Sequence, residues 1–78
     1  MLKKRLKALR LPKGLKEIEA NAFEGGTFTA VIVPDGCVKI RNEAFKGCRE
    51  LLFVSLPKGC EVEEGAFDGC DNVWIFRR

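Results

Sequence analysis

Apolar positions along this chain return every 22 or 23 residues, with polar ones spaced between them. Phe23, Phe45 and Phe67 each follow an alanine (Ala22, Ala44, Ala66) and precede a glycine by two (Gly25, Gly47, Gly69). Pro12, Pro34 and Pro57 each have a glycine two residues on (Gly14, Gly36, Gly59). Between these landmarks lie Leu15, Cys37 and Cys60, then Ile18, Ile40 and Val62. Ahead of each proline runs Leu6-x-x-Leu9-x-Leu11, Phe28-x-x-Val31-x-Val33 or Leu51-x-x-Val54-x-Leu56, and a further copy starts at Val73-x-x-Phe76. Alternating apolar residues before the proline predict a short strand with one buried face. Proline ends the ladder, and glycine supplies the backbone conformation where the chain reverses. Each unit is therefore a short strand, a Pro-x-Gly turn, a second short extended piece and a tight Ala-Phe-x-Gly turn.

A unit of this size has no room to bury its own apolar side; stacked copies bury it against the same residues one turn away. The pattern predicts a single domain, residues 1–78, with units of about 11–32, 33–55 and 56–78. Its fold class is a β-rich α/β solenoid of parallel stacked short strands joined by tight or 3-10 turns. The main strand starts near Ala8, although Leu2, Leu6 and Leu9 also suit a helical spacing for the first few residues.

These residues resemble the BspA-type leucine-rich repeats, over Leu6 to Phe76. The second unit carries the motif most fully, as Val33, Pro34, Cys37, Ile40, Ala44, Phe45, Gly47, Cys48, Leu51 and Val54. Three features depart from it. The glycine often found after the isoleucine is Glu19, Arg41 and Glu63 here; Gly26 replaces the cysteine in the first unit; and the third unit is one residue short between Pro57 and Val62. The resemblance implies a non-catalytic module for adhesion and protein recognition, often on microbial surfaces.

Composition narrows the chemistry. Of 78 residues, 46% are apolar and 32% charged, which suits a folded chain and not a disordered one. Histidine and tyrosine are absent and Ser55 is the only serine, so most acid–base and nucleophile chemistry has no candidate residue. No apolar run nears the ~20 residues of a membrane span. Met1 to Arg10 lacks the continuous apolar stretch and cleavage site of a signal peptide. The clustered Glu61, Glu63 and Glu64 have no second group placed against them and suit a solvated loop, so no enzyme activity and no cofactor are expected.

Cys37, Cys48, Cys60 and Cys70 have no Cys-x-x-Cys spacing and no histidine, against the close ligand pairs of structural zinc. All four fall in repeat columns, shared with Leu15 or Gly26, and are expected as small buried hydrophobes. In-register neighbours direct their Cβ atoms the same way, a poor geometry for a disulfide. Free thiols and the missing export signal favour the cytoplasm, whereas the family resemblance points to the cell surface.

Function in such a stack falls to the side chains that miss the core. With Leu9, Leu11, Val31, Val33, Val54, Leu56 and Phe76 directed inward, the outward residues are Ala8, Arg10, Ala30, Ile32, Phe53, Ser55, Ile75 and Arg77, just after Lys7, Thr29, Leu52 and Trp74. Ile32, Leu52, Phe53, Trp74 and Ile75 are then expected to form one apolar patch large enough to mark an interface. Trp74, the only tryptophan, is its natural anchor. Alternatively, the chain tail folds over this surface, or one strand is rotated and part of the patch is buried. The leading expectation is a protein-interaction module with a protein partner or a second copy, as a homodimer.

Charge supplies the competing class. The net charge is +3, yet Lys3, Lys4, Arg5, Lys7, Arg10, Lys13 and Lys16 place +7 ahead of the first acid, Glu17, leaving −4 for the remainder. Lys3, Lys4, Arg5, Lys7 and Arg10 are thus the candidates for nucleic-acid or anionic-surface binding. Aromatics are not interleaved with them, which weighs against single-stranded nucleic acid. A solvated end that protects a strand edge accounts for the same charges.

Overall fold

The structure, a computed structural model, describes residues 7–78. Seven short strands follow one another: β1 (Ala8–Arg10), β2 (Glu17–Ile18), β3 (Ala30–Ile32), β4 (Lys39–Ile40), β5 (Phe53–Leu56), β6 (Glu61–Val62) and β7 (Trp74–Arg77). Odd-numbered strands form one parallel sheet in the order β1-β3-β5-β7, and even-numbered strands form a second, β2-β4-β6. Each circuit of the chain adds one strand to each sheet, which makes a β-solenoid of about three turns. Strand β1 begins at Ala8, where the alternation placed it.

The described residues contain no helix, so the α/β part of the expected class is not confirmed. The Ala-Phe turns do close with bonds from residue i+3 to residue i, such as Ala44 N–H to the Arg41 carbonyl and Cys48 N–H to the Phe45 carbonyl (both 3.2 Å). They do not propagate, because left-handed residues interrupt them: Asn21, Glu43 and Gly65 at φ of 60°, 59° and 77°, and the glycines Gly25, Gly47 and Gly69 at 75°, 73° and 79°. Backbone groups in these turns bond instead to the next circuit, as Phe23 N–H does to the Ala44 carbonyl (2.8 Å) and Gly47 N–H to the Asp68 carbonyl (2.7 Å). The turn is part of the ladder.

Side chains stack by column. Phe23, Phe45 and Phe67 lie ring on ring, with centroids 5.5 and 5.3 Å apart and planes within 14° of parallel. Ile18 lies beside Ile40, and Ile40 beside Val62. Fully buried residues include Val31, Val33, Ile40, Phe45, Leu51, Val54 and Leu56. The Gly26 substitution has a steric cause. A Cβ there would come within 2.3 Å of the Phe28 ring, which packs edge-on against both Phe23 and Phe45. Phe28 occupies the room that a side chain at position 26 would need.

All four cysteines are free and buried. Cys48 donates its thiol to the Phe23 carbonyl (3.2 Å) and Cys70 to the Phe45 carbonyl (3.1 Å), so each thiol ties its turn to the one before. Burial raises the pKa of both above the ordinary thiol value. Burial, with Cys37 alongside, pushes Cys60 up to about 11.

Candidate functional site

The two sheets present different outer surfaces. On the second, Glu17, Lys39 and Glu61 are register partners. Lys39 Nζ lies 4.0 Å from Glu61. Beside them, Arg41 donates from Nε (3.0 Å) and Nη2 (2.8 Å) to Glu17 and lies 3.5 Å from Glu63. Glu17, by hydrogen bond and by charge, raises the pKa of the Arg41 guanidinium. Glu63 also accepts the Asn42 backbone N–H (2.9 Å). Two of the residues that replace the repeat glycine, Arg41 and Glu63, thus form part of an acid–base–acid ladder, and Glu61 and Glu63 are held by it. Among the described residues, no three potential ligands gather at a metal-binding distance.

The first sheet is otherwise. Its register pairs Ala8, Ala30, Phe53 and Trp74 across the four strands, then Leu9, Val31, Val54 and Ile75, then Arg10, Ile32, Ser55 and Phe76. The middle column is buried at Val31 and Val54 and the columns on either side face outward. One sequence expectation is corrected here. Matching Val73-x-x-Phe76 to Leu51-x-x-Val54 put Phe76 inward and Ile75 and Arg77 outward. In the structure Ile75 continues the inward column, Phe76 lies on the outward face, and Arg77 pairs with Leu56. The connection from Cys70 to Trp74 is one residue shorter than that from Cys48 to Phe53, and a slip of one residue exchanges the faces of a strand.

Ile32, Leu52, Phe53, Trp74 and Ile75 are all exposed, as is Phe76. They do not form one surface. Ile32, Phe53, Trp74 and Phe76 share the outward face, and Leu52 directly precedes Phe53. Ile75, 43% exposed, belongs to the core column and is open because no strand follows β7 among the described residues. Trp74 is 76% exposed and Phe76, which the sequence reading missed, 54%. The Phe53 and Phe76 rings stack with centroids 6.4 Å apart. Only the register, and not the apolar pattern, could have placed Phe76 there.

Arginine finishes this face. Arg78 reaches back over β5 and β3, donating from Nη1 to Ser55 Oγ (2.6 Å) and from Nη2 to Asp35 (2.8 Å). Ser55 is consequently buried although its column faces outward. Arg77 donates from Nη1 to the Cys60 carbonyl (2.9 Å). The tail thus covers the lower border of the face and leaves the aromatic residues open.

Of the basic candidates, Lys7 and Arg10 are exposed at β1, with Arg10 in the outward column. Lys3, Lys4 and Arg5 lie outside the described residues.

A model of the BspA type leucine-rich repeat region, six copies long, matches residues 2–76. The chain belongs to this family. Members of this repeat family are typically non-catalytic, and the repeat serves protein interaction. No curated protein and no solved structure matches the chain. No helix among the described residues is long and apolar enough to cross a membrane.

Proposed function

We propose that this BspA-type repeat is a non-catalytic interaction module that binds protein through the outward face of its first sheet and associates with itself as a homodimer. The observation that carries the reading is the exposure of Trp74 with Phe76, Phe53, Leu52 and Ile32 around it. Together they offer on the order of 500 Å² of apolar surface, the size at which a patch on a soluble chain marks an interface. The contrast with the second sheet supports it, since there charged side chains pair with one another and Val38 is the one large apolar side chain left open among the described residues.

Sedimentation velocity at micromolar concentrations tests the reading. A dimer is expected from the wild-type chain, and a monomer of unchanged circular dichroism from Trp74→Asp and from Phe53→Asp. Tryptophan emission should be blue-shifted and protected from iodide in the wild type and should lose both properties on dilution. A wild type that stays monomeric at all concentrations removes self-association from the proposal. The competing assignment, anion binding by Lys3, Lys4, Arg5, Lys7 and Arg10, requires affinity for nucleic acid or acidic vesicles that falls steeply with salt. Among the described residues, the exposure of Lys7 and Arg10 is what bears on it.

A further inference from the structure

We propose that the two copies meet face to face with their stacks antiparallel, β1 of one over β7 of the other. This rests on the outward face being the self-association surface, and names how that surface is completed.

The outward face carries a size gradient. Along the first outward column the side chains run Ala8, Ala30, Phe53, Trp74, from smallest to largest. Packed sheets keep a nearly constant separation of about 10 Å, so large residues need small ones opposite. A two-fold axis lying parallel to the strands, between β3 and β5, supplies that match. Trp74 of each copy then lies over Ala8 of the other, and Phe53 over Ala30. In the neighbouring column Arg10 meets Phe76 of the second copy, a cation over an aromatic face. Ile32 lies opposite Ser55, which is buried beneath the Arg78 guanidinium that Asp35 pairs with.

The other arrangements are worse on the same residues. A two-fold axis along the stack sets β7 on β7 and β1 on β1. Trp74 and Phe76 of one copy then meet Phe76 and Trp74 of the other, two pairs of large rings opposed at one end, while at the other Ala8 meets Arg10 and both Arg10 side chains lie at the same end. End-on stacking brings Glu61 and Glu63 of one copy against Glu17 and Glu19 of the next, four acids of like charge. The antiparallel pairing keeps the two Arg10 side chains at opposite ends and closes on itself, as an isologous contact must. Two faces of about 500 Å² each reach the roughly 1,000 Å² that a specific interface requires.

Sedimentation equilibrium on the full chain tests the geometry with Trp74→Asp, Ala8→Arg, and the pair Arg10→Glu and Phe76→Lys, singly and combined. Ala8 is an exposed residue on β1, and unchanged circular dichroism establishes that each variant is folded. The expected result is that Trp74→Asp and Ala8→Arg each weaken dimerisation at least tenfold, that Arg10→Glu and Phe76→Lys each weaken it, and that combining the last two restores it. Restoration is specific to this pairing, because only here does position 10 face position 76 of the other copy. If Trp74→Asp dissociates the dimer while Ala8→Arg leaves its constant unchanged and the double variant remains monomeric, the face is the interface and the antiparallel arrangement is wrong. If Trp74→Asp has no effect on a wild-type dimer, the face itself is not the interface.

Discussion

Glu43 holds a backbone conformation that its side chain opposes. Its φ of 59° is the left-handed region, which the equivalent position in the third unit fills with Gly65 and the first with Asn21, both better suited to it. Glu43 has partial compensation: it accepts from Asn21 Nδ2 (3.3 Å) and lies 3.6 Å from Lys46 Nζ. Both contacts are exposed and worth little. Glu43→Gly should therefore stabilise the protein by about 0.5–1 kcal/mol, read as a raised midpoint in urea. A lowered midpoint would mean that the contacts outweigh the strain. The sequence showed the column, Asn21, Glu43 and Gly65, only as an unremarkable spacing of 22, because glutamate carries no signal for a left-handed turn. Gly26 was legible as a departure, but its cause was not. The clash with Phe28 depends on how an aromatic two residues away packs across the stack.

Strands two to four residues long have little pairing energy of their own, so register must come from the side chains around them. In the second sheet the alternation of Glu17, Lys39 and Glu61, with Arg41 between Glu17 and Glu63, supplies it: moving one strand by a step separates the partners. Arg41→Glu reverses this and places like charges together. Its thermal midpoint should fall by several degrees at low ionic strength, and the deficit should shrink in high salt, where the repulsion is screened. A deficit independent of salt would trace to lost packing of the arginine stem. Strand β7 shows why register was harder to read in the first sheet. Val73-Trp74-Ile75-Phe76 is apolar throughout, so alternation does not say which residues face inward. The shorter connection from Cys70 decides it, and Ile75, like Val54, is a β-branched side chain that fits the inward column. Ile75 and Phe76 thus exchange the faces that the apolar pattern gave them.

At the scale of the molecule, each strand pairs only with its neighbours in the stack, so the buried columns connect the turns into one structure. The repeat made this architecture legible from the sequence, because columns of identical residues require circuits of equal pitch. The thiols follow from it: Cys37, Cys48, Cys60 and Cys70 are buried in the folded chain and reach solvent when the stack opens. Once exposed they ionise near pH 8.5, whereas burial raises Cys48 and Cys70 and pushes Cys60 up to about 11. Below the unfolded pKa both states hold their protons and the thiols' contribution is fully present. Above it the unfolded chain releases protons that the folded chain retains, so stability declines through a window from about pH 8.5 to about 11. Urea midpoints measured under reducing conditions should fall across that window, and Cys60→Ala should flatten the slope while lowering stability at neutral pH through the cavity it leaves. A thiol reagent at pH 8 should find the native protein unreactive and the urea-unfolded chain reactive at all four positions. A slope that is the same in Cys60→Ala as in the wild type would mean that this thiol ionises as readily in the stack as in the open chain.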